Sequence, residues 1–254
     1  CRENKIEYDF KDERRKLKEV SFLFNAQLLG HQQIVINAIE KKDLGIIVAP
    51  PGSGKTIVGL KIIADKKQPA LIITHRKQIA DQWIERIETF LGIPKNEIGK
   101  IGQGKTKIGK QITVAMIQSL SKELEKPDTG KILNAFGTII VDECHHIPAE
   151  TFRNAISKLQ TFYLYGLTAT PFRKYNDSKL IFIHLGEVIA EIKSNEISTS
   201  KRPKIIIRNT ELDVPFNSKT DKFETLSKIL VHDSSRNKSI LGDVINELQS
   251  DKKV

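Results

Sequence analysis

The chain of 254 residues has little cysteine and no long hydrophobic run. Its two cysteines, Cys1 and Cys144, cannot form a disulfide framework, which favours a reducing compartment. The longest apolar segments, such as residues 44–51, fall far short of the roughly 20 residues of a membrane helix. No N-terminal segment has the pattern of a signal peptide. These absences predict a cytoplasmic protein with no membrane partner.

Internal repeats and low-complexity segments are also absent from the sequence. With 39% hydrophobic and 28% charged residues, the composition is that of a globular protein. The net charge of +10 favours an anionic partner such as nucleic acid, although ordinary solubility charge is an alternative. Because the chain starts at Cys1 and ends in a strand-like segment, residues 251–254, we expect it to be part of a longer protein.

Short apolar segments alternate with amphipathic ones from about residue 22. This alternation predicts a parallel β-sheet with helices on both faces, in three α/β/α layers. Residues 1–21 are predicted to be a linker or an exposed helix, 22–215 the α/β domain, and 216–254 a helical connection. Strands are predicted at 45–49, 70–74, 112–117, 138–142, 163–168, 179–185, 187–193 and 204–214, and helices at 55–66, 78–91, 119–124, 131–136, 149–159, 218–232 and 237–249. Residues 92–110 are predicted to be loop, with a loop that includes one short strand as the alternative.

A Gly-rich turn between a buried strand and a helix is the first candidate site. Residues 46–56 read IIVAPPGSGKT. Glycines let consecutive backbone N–H groups point at phosphate oxygens, and the helix N-terminus attracts anions. Lys55 would neutralise the β- and γ-phosphates, and the Thr56 hydroxyl would bind Mg²⁺. The alternative is a chance Gly-rich turn, since Ala49 stands where the motif has its first Gly.

Two adjacent carboxylates end another predicted strand, in residues 138–146, TIIVDECHH. An NTPase needs one carboxylate to hold Mg²⁺ and a second group to orient or deprotonate the attacking water. Successive side chains at a strand end point in different directions, so Asp142 is predicted to face the metal and Glu143 the water. The alternative is a pair that caps the next helix. Zinc binding by residues 144–146 is disfavoured, because adjacent ligands lack the usual spacing.

These segments resemble the superfamily 2 helicases and translocases of the DEAD/DEAH group. The resemblance extends over about residues 28–173, and the matching segments occur in the order of the family's motifs. The segments DECHHIPAETFR and YGLTATPFR are most similar to XPB-type repair helicases and to the helicase subunits of restriction systems. The matches are APPGSGKT at 49–56 to motif I, DECH at 142–145 to motif II, TAT at 168–170 to motif III, IITHRK at 72–77 to motif Ia, ITVAMIQSL at 112–120 to motif Ic, and LLGHQ at 28–32 to the adenine-recognising Q-type motif.

The resemblance implies a RecA-like P-loop NTPase lobe, the first of two, with ATP and Mg²⁺ between the lobes and nucleic acid across both. It also implies roles for individual residues. They are Gln32, Pro51, Gly52, Ser53, Gly54, Lys55 and Thr56 for ATP; Thr56 and Asp142 for Mg²⁺; Lys55, Asp142 and Glu143 for catalysis; and His145, Thr168 and Thr170 for coupling hydrolysis to strand movement.

Nucleic-acid contacts are predicted where polar side chains follow two strands. His75, Arg76 and Lys77 follow a predicted strand, at the edge of the sheet where this class of fold binds ligands. Their side chains suit contacts with nucleic-acid phosphates, and a solvated loop is the alternative. Two positions depart from the family pattern: Leu29 replaces a frequent Arg, and Met116 a common Thr. The predicted contacts are His75, Arg76, Lys77, Gln118 and Ser119.

The function indicated by these motifs is an ATP-dependent nucleic-acid helicase or translocase, with DNA favoured over RNA. The alternative is a P-loop ATPase switch, or a lobe that binds nucleic acid without unwinding it. No segment matches motifs IV to VI, whose arginine fingers contribute about 10³–10⁵ in rate. We therefore expect the chain alone to hydrolyse ATP weakly. Trp83, on an amphipathic helix, is expected in the core rather than as a platform for a base.

Overall fold

A computed structural model describes residues 11–144, 149–170, 183–193, 207 and 223–249 of the chain. The chain divides into two compact units, Cys1–Ser198 and Thr199–Val254. The domain boundary expected at residue 215 stays a prediction.

Among the described residues of the first unit, eight strands form one sheet, in the order β4-β3-β5-β2-β6-β7-β1-β8. All neighbouring pairs are parallel except β3 and β4, so an antiparallel hairpin closes one edge. The expected parallel sheet is confirmed, with this hairpin as an addition. The strands are β1 Leu44–Val48, β2 Ala70–Thr74, β3 Gly99–Gly102, β4 Lys105–Lys107, β5 Ile112–Met116, β6 Thr138–Asp142, β7 Tyr163–Thr168 and β8 Val188–Glu191.

Helices cover both faces of this sheet, which confirms the three-layer α/β/α architecture. Helices α1 to α3 contribute to one apolar cluster, and α4 to α6 to the cluster on the other face. None of the described helices is both long and apolar enough to cross a bilayer. The helices are α1 Gly30–Ile39, α2 Lys55–Lys66, α3 Lys77–Leu91, α4 Ile117–Glu123, α5 Gly130–Leu133 and α6 Ala149–Ile156, and in the second unit α7 Phe223–His232 and α8 Ser234–Gln249.

The two cores follow from the alternation of side chains along each strand. In β2, Ile72 points into the cluster with α1 to α3, whereas Leu71 and Ile73 point into the other cluster. All three are fully buried. A strand covered on both faces needs apolar residues at every position, which is why the central strands read as unbroken apolar runs.

Several sequence-based boundaries agree with the structure, and others do not. The strands predicted at 70–74, 138–142 and 163–168 and the helix at 55–66 have the observed bounds. The segment predicted as loop contains β3 and β4, and β4 went unrecognised because all three of its residues are exposed and polar. Helix α1 was not predicted at all.

The region after residue 178 agrees with the sequence in part. Residues 183–185 were predicted as strand but form a helical turn. Leu185 is fully buried there, against Gly166, whose missing Cβ leaves the space. The predicted strand at 204–214 lies outside the described residues, except for position 207.

The segment before α1 lies along the edge of the sheet at which the parallel strands begin. The backbone N–H of Leu17 donates to Gln68 Oε1 over 2.6 Å, and that of Val20 donates to the Lys67 carbonyl over 3.0 Å. Gln111 Nε2 donates to the Ser21 carbonyl over 2.8 Å. Residues 11–21 contain no helix, which excludes the exposed-helix alternative for this part. This segment therefore covers the edge where the parallel strands begin, and the candidate site lies at the opposite edge, where they end.

Tyr165 gives this fold a testable pH dependence. Its hydroxyl donates to the Lys42 carbonyl over 2.5 Å, and burial raises the pKa of the phenol well above its ordinary value. The folded chain therefore keeps this proton where the unfolded chain loses it. The resulting stability is fully present below a pH of about 10 and falls as the pH rises further.

We expect Tyr165→Phe to lower the free energy of unfolding by about 0.5–1.5 kcal/mol near neutral pH, because one hydrogen bond is lost. Above a pH of about 10, the variant should lose stability less steeply, by up to about 1.4 kcal/mol per pH unit. Urea unfolding of both proteins at neutral and alkaline pH measures both effects. Equal slopes in the two proteins would contradict the assignment.

Candidate nucleotide and nucleic-acid site

The sequence-predicted site residues that the structure describes lie at or near one edge of the sheet, where the parallel strands end. Strand β1 leads into the phosphate loop, β6 ends at Asp142, and β7 ends at Thr168. On the other side of β6, β2 leads to His75 and β5 leads into α4. Open α/β sheets bind ligands at this edge, because the loops that follow the strands meet there. His145 lies outside the described residues.

The phosphate loop has the backbone of an anion cradle. Gly52 and Gly54 have φ values of 79° and 81°, a left-handed conformation that glycine adopts without a Cβ penalty. Helix α2 starts at Lys55, so its first N–H groups face the loop. Ser53 is buried, and within the described part of the chain its hydroxyl has no hydrogen-bond partner. Backbone N–H groups and a spare hydroxyl suit phosphate oxygens.

Two side chains of α1 contact the backbone of this loop at the Ser53 carbonyl. Gln32 Nε2 donates to the Ser53 carbonyl over 2.9 Å, and His31 Nε2 lies 3.2 Å from the same oxygen. Gln32 Oε1 accepts the backbone N–H of Leu29 over 3.0 Å, which caps α1. Gln32 is only 2% exposed. The structure thus places Gln32 behind the phosphate loop, where it fixes the Ser53 carbonyl, and its predicted contact with adenine stays a prediction.

Asp142 is buried, and each oxygen of its carboxylate accepts a hydrogen bond. Trp83 Nε1 donates to Oδ2 over 2.7 Å, and the backbone N–H of Glu143 donates to Oδ1 over 2.9 Å. Burial raises the pKa of Asp142 above its ordinary value, while the bond from Trp83 opposes that shift. A carboxylate held in this way still has a free lone pair on each oxygen for a cation.

Glu143 forms an ion pair with the lysine of the phosphate loop. Lys55 Nζ lies 2.5 Å from Glu143 Oε1. Glu143 has a φ of 47°, a left-handed backbone that costs a non-glycine residue roughly 1–2 kcal/mol. This turn separates the directions of Asp142 and Glu143. The structure therefore places Glu143, the predicted base, beside Lys55, which is predicted to bind the γ-phosphate.

Motif III is bonded to the start of the phosphate loop. The Ala49 N–H donates to the Thr168 carbonyl over 2.8 Å. The Thr168 hydroxyl donates to the Thr170 carbonyl over 2.9 Å, and Thr168 itself is buried. Thr170 is exposed. A displacement of this turn would pull directly on the loop, which is compatible with the predicted coupling role, although that role stays a prediction.

The predicted nucleic-acid residues form the other half of this edge. Arg76 and Lys77 are exposed at the start of α3, and His75 is half-buried. Gln118 is exposed and Ser119 half-buried in the first turn of α4. Strands β2 and β5 are neighbours, so both groups lie side by side. Their contact with nucleic acid stays a prediction.

Sequence reasoning missed how Trp83 takes part in the site. The expected core position is correct, because the side chain is 1% exposed. A buried indole N–H almost always finds an acceptor, and that rule could have prompted a search for one. The acceptor is distant in sequence, so no local pattern identifies it. The Lys55–Glu143 ion pair was missed for the same reason.

The polar groups of the site are chemically suited to ATP and Mg²⁺. Left-handed glycines, a helix start and the unpartnered Ser53 hydroxyl suit phosphates. The oxygens of the Asp142 carboxylate and of the Thr56 hydroxyl, in the first turn of α2, are of the kind that a hard cation prefers. Fold and site together define the class of protein: a RecA-like P-loop lobe of a superfamily 2 helicase.

Comparison with known proteins identifies the family. The ResIII family, described as "Type III restriction enzyme, res subunit", matches residues 25–173, and the chain belongs to it. The chain is 31% identical over 204 residues to the DNA 3'-5' translocase XPB2 of Sulfurisphaera tokodaii, covering 80% of this chain and 44% of that protein. It is 29% identical over 167 residues to the DNA 3'-5' helicase XPB of Mycobacterium tuberculosis, covering 63% of this chain and 29% of that protein.

A solved structure shows the same fold. The UvsW helicase of bacteriophage T4 matches with a TM-score of 0.56 and 19% sequence identity, over 69% of this chain and 64% of that one. The family match and the two relatives confirm the expected superfamily 2 lobe. The chain spans less than half the length of the two curated relatives described above.

Proposed function

We propose that the chain is the first ATP-binding lobe of a motor that hydrolyses ATP and moves along or opens DNA. The observation that carries this proposal is the arrangement of one sheet edge. Its β1, β7 and β6 half bears the phosphate loop and both carboxylates, and its β2 and β5 half bears exposed cationic and polar side chains. Ligands on the two halves would lie side by side. Both relatives described above are named for action on DNA, which supports DNA as the track.

Each polar group of the nucleotide half has a chemical task in this proposal. The N–H groups of the loop and the Lys55 ammonium bind phosphate oxygens. Thr56 and Asp142 hold Mg²⁺, which neutralises phosphate charge when bound. Glu143 accepts a proton from the attacking water.

Lys55 forms an ion pair with Glu143, 2.5 Å long. In this proposal the phosphates of ATP compete with Glu143 for the three N–H donors of that ammonium. A second RecA-like lobe in a longer protein would supply the arginine fingers.

The test is the rate of ATP hydrolysis by the full-length protein without nucleic acid, then with single-stranded DNA, duplex DNA or RNA. We expect DNA to stimulate turnover more than RNA. Turnover that no polymer changes would contradict the motor and favour the ATPase switch.

A pair of double variants tests the predicted track. Arg76→Ala with Lys77→Ala should weaken DNA binding and flatten its dependence on salt, by about one unit of log–log slope for each lost phosphate contact. The matched control, Lys41→Ala with Lys42→Ala, removes the same charge from exposed positions just before β1, at the opposite edge of the sheet. Equal losses in both double variants would mean that only net charge matters.

A further inference from the structure

Trp83 bonds to the very carboxylate that is predicted to hold Mg²⁺. It lies in α3 with its side chain almost wholly buried, and Nε1 is 2.7 Å from Asp142 Oδ2. A hydrogen bond to an ionised acceptor is shorter and stronger than one between neutral groups. The indole is therefore a strong fixed donor to this carboxylate, from a helix that carries none of the nucleotide motifs.

The two donors at Asp142 together determine how its carboxylate is turned. Trp83 occupies one lone pair of Oδ2, and the Glu143 N–H, 2.9 Å away, occupies one lone pair of Oδ1. Rotation of the carboxylate would break at least one of these bonds. The second lone pair of each oxygen stays available, and its direction is set by the two donors.

The indole itself has little room to tilt. An ideal Cβ at Gly59 would lie 2.7 Å from Trp83 Cη2 and 3.2 Å from Leu167 Cδ1. The ring thus packs against the bare backbone of α2, one turn beyond Lys55 and Thr56. It connects the helix that begins at the phosphate loop with the strand that ends in Asp142.

We propose that Trp83 is a positioning residue that orients Asp142 for Mg²⁺ in the nucleotide site. The proposal rests on the proposed function only in assigning Mg²⁺ to Asp142. Partners that hydrogen-bond a metal ligand set its orientation, and their loss typically weakens metal binding by about 10–100-fold. Here the partner is an apolar side chain of the core with a single polar atom.

Trp83 is the only tryptophan of the chain, so an analogue incorporated in place of tryptophan changes this site alone. β-(3-Benzothienyl)alanine has nearly the same shape but carries sulfur in place of the N–H. Trp83→Phe is a second variant without the donor. The matched control is Ile87→Ala, which removes a fully buried side chain one turn further along α3 and leaves the Asp142 bond intact.

The readout is the affinity of the chain for ATP, measured by calorimetry with Mg²⁺ over a range of concentrations and with EDTA. Both Trp83 variants should weaken the apparent affinity for Mg²⁺ by about 10–100-fold. Their affinity for ATP in EDTA should match that of the wild-type chain, because the phosphate loop is unchanged. Ile87→Ala should keep the wild-type Mg²⁺ affinity, although it lowers stability.

Unchanged Mg²⁺ affinity in both Trp83 variants overturns the proposal. An equal loss in Ile87→Ala overturns it as well, because packing alone would then explain the effect. A wild-type chain whose ATP affinity does not respond to Mg²⁺ overturns the proposed function, and this proposal with it.

Discussion

A Glu143→Gln variant of the full-length protein is expected to lose ATP turnover by about 10²–10⁴-fold, the range that a positioned general base contributes. Glutamine is similar in size and can still orient a water molecule, but it cannot accept its proton. ATP binding should be preserved or become tighter. The reason is the ion pair between Lys55 and Glu143, 2.5 Å long, which competes with the phosphates for the Lys55 ammonium in the wild type and which the variant lacks. Single-turnover hydrolysis and equilibrium ATP binding, both with saturating DNA, separate the two effects.

The matched control for this variant is Glu125→Gln, which neutralises an exposed glutamate outside the site. It should leave turnover and binding unchanged. Wild-type turnover in Glu143→Gln would show that another group is the base. Loss of ATP binding together with turnover would show that Glu143 instead supports the phosphate loop.

Leu167→Ala is expected to lower the free energy of unfolding of the first unit by about 2–5 kcal/mol. Leu167 is fully buried in β7, in the cluster that contains α2 and α3. Truncation removes its transfer free energy and leaves a cavity, because neighbouring strands on both sides limit relaxation. Trp83 is the only indole and lies in the same cluster, so its fluorescence during urea unfolding reports directly on this unit.

Leu23→Ala is the control for Leu167→Ala, because its side chain is 70% exposed and contributes little to the core. It should change the free energy of unfolding by no more than about 0.5 kcal/mol. If Leu167→Ala lowered the free energy of unfolding no more than Leu23→Ala does, the residues around Leu167 would have moved in to fill the cavity.

The parts of the fold that were predicted are those in which local pattern and tertiary environment agree. Strands β2 and β6 are buried along their whole length and β7 over its last four residues, so their apolar runs reveal them. Strand β4 is the edge strand that pairs with β3, and its three exposed polar residues carry no periodic signal. Helix α1 has Leu29 at its N-cap and no acidic residue in its first turn, so the usual sequence signals of a helix start are missing.

In the candidate site, too, the residues with a local sequence pattern were predicted and the long-range contacts between them were not. Lys55, Asp142 and Glu143 were identified because each follows a recognisable strand in a recognisable motif. The bonds that orient them join residues far apart in the chain: Lys55 to Glu143, and Trp83 to Asp142. Such pairs depend on the order of strands in the sheet, with β6 between β2 and β7, and strand order is not encoded in any local segment.

The bare backbone at Gly59 has a consequence for how this lobe can diverge in evolution. A methyl group there would collide with the Trp83 ring, so position 59 can gain a side chain only where position 83 has lost bulk. In related chains we expect them to vary as a pair: an alanine or larger residue at the position of Gly59 should accompany a smaller residue at the position of Trp83. Such lineages would lose the indole donor, and they would need a different polar neighbour for the carboxylate that corresponds to Asp142.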